Sequence, residues 1–342
     1  MWQSILLAIL GWLDVVPQPL LDVTDPVMKA RIIISATQLG VFDALAGTPQ
    51  PYDKIVQTIQ AEGDTLQLML DALEGFGYVK VKNGRYQNTR TARKYLVSTS
   101  PTSLSNMVLF QEDAAFMATS LTELTRTGLL PTSYQTYLAQ KPDRWRFYVL
   151  GMRDGARMSV SQVLAHVPVP TQARRLLDLG GSHGLYASSF CQRYPQLQAT
   201  VFDQPAAIAI GQEVAVEMAV QDRVTYQPGD FWQHSLGEGY DIVLLFSILH
   251  LFSPTQNQQL LHRLAQAMVP GGTLVVADFL ADRLAKGWSA SFSLGMRCFF
   301  GKGKTYKQTT IRQWLDEAGF RIQKVRHLRN PASLIIATKV KA

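Results

Sequence analysis

The 342-residue sequence is short of cysteine, with only Cys191 and Cys298. Two distant thiols give neither a disulfide framework nor metal-ligand spacing, so a reducing, cytoplasmic setting is the expectation. Charge is also scarce: 17% of residues are charged against 47% hydrophobic, which excludes a disordered chain. The length fits about two packed domains. No internal repeat or low-complexity tract is present. The opening stretch MWQSILLAILGWLDVV holds an apolar run too short to span a bilayer. It also lacks the basic start and small-residue cleavage site of a signal peptide. An amphipathic helix packed on a partner surface is expected there, without stable membrane insertion. Of His166, His183, His234, His250, His262 and His327, no pair has metal-ligand spacing with a nearby acid, so no metal is expected. The net charge of +7 raises nucleic acid or acidic partners as possibilities. However, Lys and Arg are scattered. Their densest cluster, GKGKTYK at 301–307, has no interleaved stacking aromatics and reads as a solvated loop.

What is present has a clear order. Residues 26–47 have apolar positions at helical spacing. A helix, a turn, a second helix and a two-stranded wing follow, the wing closed by Asn83-Gly84. This is a winged-helix pattern, but its second helix, TLQLMLDALEGFG, is apolar and acidic. A DNA-reading helix presents Arg, Lys, Asn or Gln to base edges, so an interaction or dimerisation module is expected instead of a nucleic-acid binder. Residues 104–165 read as helical, with Phe110, Phe116, Met117, Trp145, Phe147, Tyr148 and Met152 along them. Core packing is the plain reading of such a stripe, and a roof over a flat apolar ligand is the sharper one. From Arg174 strands alternate with helices, at 175–179, 199–203, 223–227, 241–246 and 273–278. A helix at 308–319 precedes RIQKVRHL and SLIIATKV, a final hairpin through Asn330-Pro331. Unalternating apolar strands between helices indicate a mostly parallel sheet covered on both faces, with ligands beyond the strand C-termini.

The stretch LDLGGSHGL at 177–185 runs from the first of these strands into a helix. Its spacing differs from G-x-G-x-x-G and fits an acid-x-G-x-G-x-G turn, with Asp178 as the acid and Ser182 in the middle slot. Gly180 and Gly181 let a ligand touch the backbone, and the helix start favours a carboxylate. Asp178 can neutralise an ammonium, so the pair suits an amino-acid moiety. Asp203 in VFDQP ends the second strand, suited to ribose hydroxyls, with Gln204 beside it. Asp230 in PGDFW ends the third, suited to an exocyclic amine, with Phe231 to lie against the adenine ring. Three acids at consecutive strand ends together with a glycine turn form a specific constellation.

The stretches LLDLGGSHG, VFDQP, GDFW, DIVLLFSILHLFSP, PGGTLVVAD and WLDEAGF resemble, in order and spacing, the class I S-adenosylmethionine-dependent methyltransferases. Within that class they are similar to the small-molecule O-methyltransferases of plant caffeate and flavonoid metabolism and of bacterial secondary metabolism. The resemblance spans nearly the whole chain. It implies an α/β fold, a Rossmann-like seven-stranded methyltransferase sheet preceded by a mainly α-helical, winged-helix-like dimerisation domain. The expected divisions are 1–103 for dimerisation, 104–165 for a helical linker contributing to the substrate pocket, and 166–342 for catalysis. A homodimer through the N-terminal domain and a small hydroxylated acceptor are implied, with S-adenosylhomocysteine as product and no metal.

By the same resemblance Gly180, Asp203, Asp230 and Phe231 contact the cofactor, and Phe246 occupies the place of a family lysine near the adenine. His250 in ILHLFSP falls on the position of the general base, while Leu251 and Phe252 replace an Asp-Trp pair. A structural histidine at a strand-to-helix turn is the alternative. Asp278 in VVADF matches one supporting carboxylate, a methylene shorter than the usual Glu. The second is missing, with Lys304, Lys307 and Thr309 in its region. A His250 base, transfer driven by proximity, and methylation at carbon therefore stay open, as does a member of the fold that does not methylate. Phe292, Met296, Phe299 and Phe300 fall where the family shapes its acceptor pocket, and Phe116, Met117 and Met152 join them as candidates. Arg153 and Arg297 are candidates for an acceptor carboxylate.

Overall fold

The computed structural model describes residues 17–340, so the expected helix in MWQSILLAILGWLDVV lies outside the described residues. The chain divides into two compact units, Met1–Glu112 and Asp113–Ala342.

In the first unit a helix spans Gln18–Gln38, beginning eight residues before the expected 26. The reason is Pro17 and Pro19 at its start, where a missing N–H costs little, while Pro26 is accommodated inside. Leu39-Gly40 breaks it, and Val41–Ala44 forms a short second helix. Strand β1 (Gln50–Pro51), helices Tyr52–Ile59 and Gly63–Gly75, and strands β2 (Val79–Lys82) and β3 (Arg85–Asn88) complete the winged pattern. Asn83 and Gly84 both have positive φ, 52° and 69°, as a two-residue hairpin of primed type requires. Helix Gly63–Gly75 buries Leu66, Leu70 and Leu73 against Phe42, Leu45 and Ile55. Its solvent side carries Asp64, Leu68, Asp71 and Glu74, a surface that repels phosphate.

The second unit opens with helices ending at Val160–His166 and then builds a seven-stranded sheet. Its strands are β4 (Arg175–Leu179), β5 (Gln198–Asp203), β6 (Val224–Pro228), β7 (Tyr240–Phe246), β8 (Met268–Asp278), β9 (Phe320–His327) and β10 (Ser333–Lys339). The spatial order is β6-β5-β4-β7-β8-β10-β9, with β10 antiparallel to both neighbours and the other pairings parallel. Each expected strand is present. β8 starts five residues early because Met268 already pairs with Tyr240, and residues 269–272 bulge out before the ladder resumes at Thr273 opposite Ile242.

The central strands are apolar throughout because both faces are covered. Leu177, Leu179, Leu245 and Val276 pack on one side beneath helices Pro254–Ala267 and Gln308–Glu317. Leu176, Leu244 and Val275 pack on the other beneath helix Leu185–Arg193. The chain reverses direction across the sheet at β4, between β5 and β7. Loops leaving the C-terminal ends of these strands therefore converge on one crevice.

Candidate active site

The turn after β4 is shaped around a buried acid. Asp178 is almost fully buried, and its Oδ2 accepts a 3.4 Å hydrogen bond from the Ala187 amide. A Cβ on Gly181 would stand 2.5 Å from the Asp178 Cγ, so only glycine lets the turn fold over that carboxyl. Burial pushes the Asp178 carboxyl up to about 7 from 3.8, with a smaller contribution from the charge of Asp203. Asp203, at the end of β5, is raised to about 6, again by burial. The amides of Ser182 and Gln204 donate to its two oxygens at 2.8 and 2.6 Å. Gly229 donates to the Asp203 carbonyl at 2.9 Å and brings the Asp230 turn alongside. Asp230 accepts from the Trp232 amide and the Gln233 side chain, both at 2.9 Å. Two acids held at the edge of ionisation in one crevice suit a cationic ligand.

Ser182 takes a left-handed backbone, φ 43°, and its buried hydroxyl has no hydrogen-bond partner among the described residues. Both features carry a free-energy penalty, together about 1–3 kcal/mol. Ser182→Gly should therefore raise the melting temperature of the ligand-free protein, as a thermal unfolding curve would show; a lower melting temperature would contradict the strain. His183 answers a different question. Its Nδ1 accepts from the Leu185 amide at 3.0 Å, and burial, with Arg153 and Arg157 nearby, pushes its pKa down to about 3. It is a neutral ring at the helix start.

Tyr148 belongs to the stripe that the sequence leaves between core packing and a roof over a ligand. Burial, and to a smaller extent the charge of Asp203, hold its phenol protonated, while its ring meets Tyr134 and Trp145 edge-on. No local pattern signals this, because the juxtaposition joins helix Arg144–Arg157 to the end of β5. Phe246, in contrast, turns to the other face of the sheet, its ring perpendicular to Tyr186 at 4.7 Å within the core there. Phe231 packs edge-on against Phe252 at 5.8 Å, and Trp232 joins them. The Phe252 that replaces the family's Trp thus closes an aromatic cluster beside the Asp230 turn.

At the end of β7 a short 3-10 turn, Leu249–Leu251, presents His250. β8 runs parallel to β7 with Phe246 paired to Ala277, so the two strands deliver His250 and Asp278 side by side. The His250 Nδ1 lies 2.6 Å from Asp278 Oδ1, and both residues are buried. An ionised carboxylate only accepts, so Nδ1 carries the proton and Nε2 is left as the basic nitrogen. The Phe279 amide donates to the same oxygen at 2.7 Å, and the His250 amide to Oδ2 at 3.3 Å. The edge of Phe292 meets the His250 ring at 5.1 Å, Phe279 lies at 5.8 Å, and Trp288 stacks on Phe292 at 5.3 Å.

Of the pocket candidates, only Phe292 reaches this histidine in a ring contact. Phe299 and Phe116 join a separate cluster, Phe299 edge-on to Tyr134 at 4.7 Å and Phe116 stacked on Tyr137 at 5.0 Å. That cluster rests on a buried Asp113, which accepts from Tyr134 and Tyr137 and pairs with Arg144 at 2.7 Å. Phe116 is half exposed, Met117 is buried, and Met152 and Met296 are partly covered. Arg153 pairs with Glu217 at 3.1 Å through Nη1, while its buried Nε has no hydrogen-bond partner among the described residues. The segment 301–307 is not the solvated loop its composition suggests: Gly303, Thr305 and Tyr306 are buried. Its lysines are solvated while its backbone is packed.

Comparison with known proteins gives a consistent picture. Residues 128–321 match an O-methyltransferase domain, and residues 21–98 match an O-methyltransferase dimerisation domain. The chain is 27% identical over 335 residues to the 3-hydroxy-5-methyl-1-naphthoate 3-O-methyltransferase of Streptomyces sahachiroi, covering 95% of this chain and 96% of that one. It is 28% identical over 330 residues to the tetracenomycin polyketide synthesis 8-O-methyl transferase of Streptomyces glaucescens, covering 94% and 97%. Among solved structures, that of human N-acetylserotonin methyltransferase in complex with SAM superposes with a TM-score of 0.83 at 24% identity, covering 95% of this chain and 97% of that one. The likeness extends through both units.

Proposed function

The chain belongs to the O-methyltransferase family, whose methyl donor is S-adenosylmethionine, and from that premise we propose that it methylates a phenolic hydroxyl on a flat aromatic acceptor with His250 as general base. The observation that carries this reading is the 2.6 Å contact between His250 Nδ1 and Asp278, which leaves Nε2 basic beneath an aromatic wall. Residues of the crevice fit the cofactor. Asp178 would hold its ammonium, Asp203 its ribose hydroxyls, and Asp230 with Phe231 its adenine, while Gly180, Gly181 and Ser182 line the approach and Gln204 flanks the ribose acid. When bound, S-adenosylmethionine supplies a sulfonium-activated methyl group.

The protein's own task is to place the acceptor oxygen in line and remove its proton. Nε2 accepts that proton as the oxygen becomes nucleophilic. The positive charge that then develops on the imidazole is offset by Asp278 at Nδ1. Phe292, Phe279 and the stacked Trp288 offer a surface for a planar ring and keep water from the base. The names of the two Streptomyces relatives, a naphthoate and a polyketide enzyme, support an acceptor of this shape. Incubation with S-adenosylmethionine and 3-hydroxy-2-naphthoate, followed by proton NMR of the product, is the test. An O-methyl singlet is expected. A carbon-bound methyl, or no product from a panel of phenols, overturns the reading.

A homodimer follows from the same premise. On helix Gln18–Gln38 the exposed Leu20, Val23 and Val27 fall at i, i+3 and i+7, an apolar stripe open to solvent in the unit that matches the dimerisation domain. Val23→Glu/Val27→Glu is expected to halve the mass seen by light scattering. A variant that keeps the wild-type mass would remove this stripe from the interface.

A further inference from the structure

The turn that carries His250 is held from outside at its backbone as well as at the ring. A single 3-10 turn is a weak element, and its carbonyls need partners elsewhere. The Leu249 carbonyl accepts from Asn257 Nδ2 at 2.8 Å, and the Phe252 carbonyl from the Tyr306 hydroxyl at 2.6 Å. Between them Gly303 presses against the peptide of His250 itself. A Cβ at that position would lie 2.2 Å from the His250 carbonyl oxygen and 2.8 Å from that of Leu251. The φ of Gly303, +91°, is in any case one that glycine alone adopts freely.

This segment is itself fastened on two sides. The Thr305 amide donates to Ser293 Oγ at 3.1 Å, and its hydroxyl lies 2.7 Å from that of Ser289, tying it to helix Lys286–Phe300. The Ala281 amide donates to the Tyr306 carbonyl at 2.9 Å, three residues beyond Asp278. The strand exit that supplies the carboxylate therefore also anchors the segment that presses on the histidine's backbone.

We propose that 303–306 is a brace that fixes the His250 ring for catalysis, with Gly303 and Tyr306 as positioning residues. The proposal rests on the reading of His250 as the base. Asp278 sets the ring at Nδ1, and the brace sets the peptide from which the ring hangs. Together they fix Nε2 with a single carboxylate, where this chain has Lys304 and Lys307 and no second acid in the segment.

The test uses Gly303→Ala and Tyr306→Phe in the full-length enzyme, with 3-hydroxy-2-naphthoate as acceptor. Tyr306→Phe introduces no clash and serves if Gly303→Ala fails to fold. Each folded variant is expected to lose kcat, about tenfold or more for Gly303→Ala and about threefold or more for Tyr306→Phe. The KM for acceptor and the affinity for S-adenosylhomocysteine should stay within about twofold. In 15N-histidine-labelled protein, the Nδ1–H resonance of His250, assigned by its loss in His250→Ala, should shift or broaden in both variants. Wild-type kcat in the folded variants overturns the proposal if His250→Ala is itself slow. If His250→Ala turns over as fast as wild type, the base reading fails instead, and an unmoved resonance is then what overturns the brace.

Discussion

His250→Ala is expected to lower kcat by about two to four orders of magnitude while S-adenosylhomocysteine binds as tightly as to the wild type. The crevice proposed for the cofactor is built from the ends of β4, β5 and β6, whereas His250 leaves the end of β7 and faces Phe292 and Phe279. Removing the imidazole therefore takes away the proposed proton acceptor without touching the acids Asp178 and Asp203. Added imidazole should restore part of the turnover, since the cavity left beside Asp278 keeps its carboxylate. Asp278→Asn should be almost as slow, because an amide in that place cannot offset the charge on the protonated ring. Asp278→Glu should recover to within about tenfold of wild type, as the longer side chain keeps the charge but shifts the 2.6 Å contact. Wild-type turnover in His250→Ala, measured with saturating cofactor, would sink the base and leave proximity alone to account for transfer.

Much of this site was legible in the chain because its chemistry is local. Asp178, Asp203 and Asp230 stand at or just beyond the ends of successive strands, and a run of apolar residues closed by an acid is visible without a structure. The hairpin at Asn83-Gly84 is legible for the same reason: its turn residues carry their own backbone preference. Illegible features depend on contacts between distant segments. Tyr148 meets the field of Asp203 from helix Arg144–Arg157, far earlier in the chain than β5, and its neighbours in WRFYVL differ in no way from core residues. The 301–307 segment misleads because its lysines point to solvent while its glycine and tyrosine pack inward. Hydropathy averages the two and reports a loop. Phe252 is a third case. In the sequence it is only a departure from the family's Asp-Trp pair, whereas in the structure it completes the packing of Phe231 and Trp232.

Asp178 should show opposite pH trends in stability and in cofactor binding. In the folded protein its carboxyl is pushed up to about 7 from 3.8 by burial, and that of Asp203 to about 6 by the same cause. A carboxyl whose folded pKa lies above its unfolded value contributes stability that is present in full below the unfolded pKa. That contribution is lost as pH rises through the folded pKa. The ligand-free enzyme should therefore melt at a lower temperature as pH rises from 5 to 8, with Asp178 alone accounting for up to about 3 kcal/mol. Binding runs the other way. An ammonium placed against Asp178 favours the ionised form, so affinity for S-adenosylhomocysteine should rise with pH up to about 7, by as much as about tenfold per unit below it. Calorimetry in buffers of different ionisation enthalpy should detect about one proton released per cofactor near pH 6. Asp178→Asn separates the two effects. It removes a buried acid, so the ligand-free variant should be at least as stable as wild type at pH 8. It also removes the partner of the ammonium, so affinity should fall about a hundredfold and lose its pH dependence. An Asp178→Asn protein that binds S-adenosylhomocysteine at wild-type affinity would show that the glycine turn alone holds the amino-acid end, and that the buried acid serves the turn and not the ligand.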